Sequence, residues 1–348
     1  MEDKVKEKNG GNEMLKLSIC VIARNEQSFL PNLLLNIQNQ LYPHEYTEVV
    51  LVDCGSTDNT YSIMKEFQLK NETFYAVQVL DNPKYIQAAG WNVAIKNATG
   101  DVIARIDAHT KLPADYSQKV MENIEKGEDI VGGMRPCLAE NDTLWSNILL
   151  RTENSLFGSS INKARYSQGK SYVKTMFHAA YRKEVFKKAG VFNENLLRTE
   201  DNEMHYRIRK AGYKLCYDPQ IVSYQYARSD LRRMLKQKYG NGYWIGLTTG
   251  INFKCFSLYH FIPLFFVLGI FTTTLLASIG IWQFATLMWG LYCIFAIVNT
   301  IISSIGVKFN PYCFLMPFLF LILHLGYGLG TLIGLIKMPF WLSKTKQK

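Results

Sequence analysis

The chain has 348 residues, with 39 Lys+Arg against 29 Asp+Glu and a formal net charge of +10. At 48% hydrophobic and 20% charged it is neither disordered nor too short for a sizeable core, and no short-period repeat points to a solenoid. A basic excess raises nucleic acid or an acidic membrane as partners. Eleven basic residues and one acid, Asp230, lie from Arg228 onward, so residues 1–227 carry 28 bases and 28 acids. The excess therefore belongs to the last third alone.

Residues 1–16 read as a polar tail with no signal peptide, so the segment that follows is expected in the cytoplasm. Leu17–Ile22 (LSICVI) is a short apolar run of the buried-strand type, and Phe29, Leu33, Leu34 and Ile37 follow at helical spacing. Val49–Val52 predicts a second strand, broken at Asp53-Cys-Gly-Ser-Thr-Asp58. A helix at about 59–68, a strand at about 74–80 and a helix at 85–98 come next. Asp101–Asp107 (DVIARID) predicts another strand, and Pro113–Lys126 another helix. This alternation predicts an α/β domain, a Rossmann-like and mainly parallel sheet flanked by helices. Ligands of such sheets bind beyond the C-terminal strand ends. The polar clusters Arg24-Asn25-Glu26, Asp53–Asp58 and Asp107–Thr110 fall there. Neither GxGxxG nor GxxxxGK[ST] follows the first strand, which argues against a dehydrogenase or a P-loop ATPase.

No Asp, Glu, Lys or Arg occurs between Lys254 and Lys308, or between Lys308 and Lys337. A helix needs about 20 apolar residues to cross the hydrocarbon core. Three crossings are expected, at roughly 257–279, 284–305 and 313–335, with Trp282, Trp289, Tyr312 and Trp341 suited to the interfaces. Three crossings would put Lys344–Lys348 outside, against the positive-inside rule, so one segment that is re-entrant or interfacial remains an alternative. The expected parts are a tail at 1–16, a catalytic domain at 17–227 and a basic, aromatic interfacial segment at 228–255. A membrane region at 256–337 and a basic tail at 338–348 complete them. This assigns the basic excess to a membrane and leaves nucleic acid without support. The seven cysteines form no CxxC pair, in keeping with a reducing cytoplasm.

Asp53 ends a strand where a carboxylate can accept hydrogen bonds from a base or ribose; the plain alternative is a turn with Ser56 or Thr57 as a helix cap. Asp107 and His109 share one edge of an extended chain and suit a divalent ion completed by substrate phosphates, Mg²⁺ or, with imidazole, Mn²⁺. Arg105 lies on the same face, within reach of a phosphate. In Thr199-Glu200-Asp201, acids at a helix start are commonplace. Asp201, however, falls on the side of Met204 and Ile208, where a partly desolvated carboxylate with a raised pKa can act as a general base. His178 precedes a predicted helix and lies before the Glu200-Asp201 pair, although a lone His is more often structural.

Taken together, SICVIARNE, VVLVDCGSTDNT, AAGWNVAIKNATGDVIARIDAH and NENLLRTEDNEMHYRIRKAGYKL resemble glycosyltransferase family 2, with its GT-A fold, from about Leu17 to Tyr217. Within it the chain resembles membrane-bound exopolysaccharide glycosyltransferases of the succinoglycan-biosynthesis type. The resemblance implies a nucleotide-sugar site at Ala23, Asn25, Glu26, Asp53, Ser56, Arg105 and Asp107. It places Asp107 and His109 at the metal-binding DxD position, where the family usually has a second acid, and Asp201 as the catalytic base. Glu200, His178 and Gln237 would lie on the acceptor or pyrophosphate side, Gln237 through a faint likeness to the QxxRW signature of processive synthases. The expected function is inverting transfer from a UDP-sugar to a polyprenyl-linked acceptor, by a multi-pass plasma-membrane enzyme with its catalytic domain in the cytoplasm. The alternatives are a polyprenyl-phosphate glycosyltransferase and a non-catalytic nucleotide-sugar-binding protein.

Overall fold

The computed structural model describes residues 14–158, 169–227 and 230–346; Arg228, Lys348 and the first thirteen residues of the expected tail lie outside them. The first elements are β1 (Leu17–Ala23), α1 (Leu30–Gln38), β2 (Thr47–Asp53), α2 (Thr60–Leu69), β3 (Ala76–Asp81) and α3 (Gln87–Asn97). Next come β4 (Val102–Asp107), β5 (Thr110–Lys111), α4 (Tyr116–Glu125), β6 (Ile130–Met134), β7 (Cys137–Ala139) and α5 (Leu144–Asn154). They are followed by β8 (Ser171–Val173), β9 (Ala180–Arg182), α6 (Lys183–Ala189), α7 (Glu200–Lys210), β10 (Leu215–Val222) and β11 (Tyr224–Ala227). The remainder is helical: α8 (Leu231–Asn252), α9 (Ile262–Ser278), α10 (Gln283–Ile302) and α11 (Met316–Lys346).

Side chains alternate between the two faces of a strand, and β1 and β2 are apolar on both. Leu17, Ile19, Val21, Val49 and Leu51 join one buried cluster with residues of α1, α2 and α4. Cys20, Ile22, Val50 and Val52 join the other, with α3, α6 and α7. The main sheet runs β3-β2-β1-β4-β9-β6-β10-β8. Its first four strands are parallel, as expected, but β9 is antiparallel to both β4 and β6. A three-residue strand is too short to show a period in the sequence. A second sheet, β5-β11-β7, lies beyond the ends of β4 and β10.

A buried carboxylate fixes the entry to β4. Glu48 Oε1 accepts from Ser18 Oγ at 2.5 Å and from the Gly100 N–H at 3.2 Å, and Oε2 accepts from Thr99 Oγ1 at 2.7 Å. A Cβ at Gly100 would stand 2.5 Å from Ser18 Oγ, so only glycine lets the chain pass. The strand that ends in Asp107 is thereby held beside β1.

Three helices among the described residues are long and apolar enough to cross a membrane: Leu258–Ser278, Gln283–Ile302 and Pro311–Thr345. Few residues of the first two are covered by protein. An apolar surface of that extent is what a bilayer covers. Within the segment 228–255, residues Leu231–Asn252 form the long helix α8, packed along α11. A Cβ at Gly242 would fall 2.1 Å from the Tyr327 carbonyl, and one at Gly246 2.6 Å from the Thr331 carbonyl. Small residues four apart thus let the two backbones touch. The expected tail at 338–348 is likewise no separate part: α11 continues through Pro339 to Lys346. Lys238 of α8 makes a buried ion pair with Glu153 of α5 at 2.9 Å, which joins this bundle to the α/β part.

Candidate functional site

The loops after β1 and β2 are laced together. Asn25, in the left-handed region at φ 56°, donates its N–H to Ser56 Oγ at 3.0 Å, and its Oδ1 accepts from the Thr57 N–H at 2.8 Å. The side chains of Asn25 and Ser56 therefore build the loops, and the Ala23 carbonyl accepts the Cys54 N–H. Asp53 is 6% exposed. Its Oδ2 accepts from the N–H groups of Gly55 and Ser56 at 3.0 Å each, whereas its Oδ1 is buried without a partner. An orphaned buried acceptor is costly. A base N–H or a ribose hydroxyl would satisfy it. The Tyr85 ring lies over Gly55, where a Cβ would come within 2.3 Å of it.

Asp107 ends β4 and accepts from His178 Nε2 at 3.2 Å. Burial works to raise its carboxyl, but the bond from His178 and the nearby Arg105 charge hold it well below the usual carboxylate range. His178 itself is pushed down by burial, which outweighs Asp107, and so donates as a neutral ring. Its Nδ1 meets Ser223 Oγ at 2.8 Å, and Tyr116 donates its hydroxyl to the His178 carbonyl at 3.1 Å. These contacts hold a non-glycine residue at φ 46°, a strained conformation of the kind that collects at functional sites.

His109 pairs through Nδ1 with Glu26 Oε1 at 3.2 Å, and Gln225 of β11 donates to its Nε2 at 3.0 Å. Glu26 is thus placed behind His109. A carboxylate on one imidazole nitrogen orients the other as a lone-pair donor, as it does behind metal-ligating histidines; here that lone pair takes the Gln225 amide, which a bound ion would displace. No three His, Cys, Asp or Glu side chains gather for a metal among the described residues. An ionised carboxylate and one oriented imidazole nonetheless fit an ion whose shell substrate oxygens complete.

Arg105 is held by an acid and two rings. Its Nη1 donates to Asp201 Oδ1 at 2.5 Å, and its guanidinium lies between the rings of Trp91 and Phe192, 4.4 and 4.5 Å from their centroids. The pair explains why the desolvated acid is not the one expected. Glu200 is 4% exposed. Burial first, and then the Asp201 charge, push its carboxyl up to about 8, against the lowering field of Arg105. The raised pKa thus belongs to Glu200.

Gln237 sits half-buried on α8 and makes no hydrogen bond among the described residues. Other α8 residues approach α7: Thr248 Oγ1 lies 2.8 Å from Thr199 Oγ1, and Asn241 Oδ1 accepts from Arg198 Nη1 at 2.8 Å. Trp91, Phe192, Gln225 and Thr248 escape a reading by sequence spacing, because each meets the site across 14 residues or more of chain.

An open α/β sheet with carboxylates at its C-terminal strand ends, and a three-stranded flap beside them, is the GT-A architecture. The mannosyltransferase PcManGT from Pyrobaculum calidifontis, solved in complex with GDP-Man and Mn²⁺, shares it: TM-score 0.54, 17% identity, 96% of this chain and 87% of that one covered. Residues 18–190 match the family model "Glycosyl transferase family 2". The chain belongs to that family and is a glycosyltransferase. It is 28% identical over 330 residues to the dolichyl N-acetyl-alpha-D-glucosaminyl phosphate 3-beta-D-2,3-diacetamido-2,3-dideoxy-beta-D-glucuronosyltransferase of Methanococcus voltae, covering 92% of this chain and 97% of that one. It is also 28% identical over 325 residues to succinoglycan biosynthesis protein ExoA of Rhizobium meliloti (strain 1021), covering 90% and 92%.

Proposed function

We propose that the enzyme transfers a sugar, with inversion, from a UDP-sugar to a saccharide carried on a polyprenyl lipid, in exopolysaccharide or cell-surface glycan synthesis. The name of the Methanococcus voltae relative supports the acceptor class, and that of ExoA supports the exopolysaccharide setting. The observation that carries the reading is the convergence of an orphaned Asp53 oxygen, the ionised Asp107 and the Asp201–Arg105 pair at one end of the sheet.

Asp53 Oδ1 takes a base or ribose donor. Asp107 and His109 would hold a magnesium or manganese ion, which when bound would neutralise charge on the departing nucleoside diphosphate. Asp201 removes the proton of the acceptor hydroxyl as its oxygen bonds to the anomeric carbon and the bond to phosphate breaks. Such general-base help is worth roughly 10²–10⁴-fold. Arg105 positions Asp201 through the 2.5 Å bond. The catalytic domain, at 17–227, works at the cytoplasmic face of the plasma membrane, with α9, α10 and α11 as its anchor.

A screen of nucleotide sugars against a polyprenyl-pyrophosphate-linked sugar in membranes, read by product mass, tests this. A product heavier by one sugar, lost in Asp107→Ala, is expected. Transfer to polyprenyl phosphate alone would contradict the acceptor assignment.

A further inference from the structure

A cavity of about 220 Å³ lies where the last turns of α7 meet the end of α8, lined by Tyr206, Arg209, Lys210 and Lys254. Three of the four lining residues are cations, and none is an acid. Arg209 packs over the Tyr206 ring at 5.7 Å, its Nε is buried with no partner, and its guanidinium makes no hydrogen bond among the described residues. Lys210 and Lys254 stand exposed at the rim. A guanidinium with an unpartnered buried Nε, beside two ammonium groups, is matched by the oxygens of a phosphate.

The cavity also has a fixed relation to the membrane region. Lys254 precedes by four residues Leu258, where the first candidate span begins, and the exposed Phe253 and Leu258 flank it. Tyr206 packs against the cluster of Ile245, Phe256, Phe261 and Leu264, so the same face of α7 rests on the bundle. Arg209 follows Asp201 by eight residues, about 12 Å along a helix, which separates the cavity from the transfer chemistry. Its volume lies below the roughly 300 Å³ at which pockets for drug-sized ligands begin, too small for a nucleotide sugar.

We propose that this cavity binds the phosphate of an anionic phospholipid headgroup, distinct from both substrates, and so fixes α7 at the bilayer surface. Each cation near an anionic surface strengthens binding roughly fivefold. The test uses the full-length protein in detergent, with thermal unfolding followed while phosphatidylglycerol, phosphatidylcholine or inorganic phosphate is titrated. Saturable stabilisation by phosphatidylglycerol is expected, with little from phosphatidylcholine. Its midpoint should weaken roughly fivefold in Lys254→Gln and further in Arg209→Gln. Lys254 is exposed, so its variant reports on binding even if Arg209→Gln fails to fold. Equal stabilisation by the two lipids, or an unchanged midpoint in Lys254→Gln, would overturn the proposal. Inorganic phosphate matching phosphatidylglycerol would overturn the lipid assignment.

Discussion

Between Leu17 and Asp107 the site residues stand at the ends of neighbouring parallel strands, and their loops bond to one another: Asn25 to Ser56, Glu26 to Thr60, Asp53 to its own turn. Between His178 and Gln225 the site depends on bonds across the whole domain, such as Arg105 to Asp201 and Gln225 to His109. The first region presents the edge proposed to take the nucleotide, and its loops are held mainly by one another. The second is assembled by β9, α7 and β11, and α8 of the membrane bundle bonds to the start of α7 through Thr248 and Asn241. Donor binding and transfer should therefore be separable by mutation, and damage to the bundle should reach the second region first.

Asp107→Ala strikes where the two regions meet and should have the largest effect. It removes the proposed metal ligand and the partner of His178, so transfer in membranes should fall to background. Arg105→Leu should leave Asp201 and Glu200 without their counter-charge. Breaking a buried pair costs about 3–5 kcal/mol, measurable as a lower unfolding temperature with a matching loss of turnover, while Arg105→Lys should recover part of both. Gly246→Leu should force α8 from α11, since a Cβ there already falls 2.6 Å from backbone atoms. Overpacking of this kind costs about 1–3 kcal/mol, and transfer should suffer more than donor binding.

The change with the smallest expected effect on transfer is a pH dependence of stability. With its folded pKa raised from 4.5 to about 8, Glu200 binds more protons folded than unfolded between those values. Its contribution to stability is full below about 4.5 and is lost as pH rises through about 8. Unfolding temperatures of Glu200→Gln should lack that decline.

The first region was legible in the sequence because its strands are buried on both faces and read as unbroken runs, LSICVI and VVLV. The polar clusters at their ends marked the ligand edge. The second region was legible only in part. The helix of Asp201 follows from its periodicity, but Arg105 read as a phosphate contact because its partner is 96 residues away. Arg232, Arg233 and Lys236 gave α8 its basic character in the sequence, but not its packing partner. The spacing of Gly242, Gly246 and Gly250 was the signal of a close helix partner. The run of Lys344 and Lys346 likewise obscured the continuation of α11.

Asp201→Asn, with donor affinity and transfer to a lipid-linked saccharide both measured in the full-length protein, tests the division of labour most directly. Donor affinity should stay within about twofold while transfer falls roughly 10²–10⁴-fold. A loss of donor affinity equal to the loss of transfer, or transfer at the wild-type rate, would contradict it.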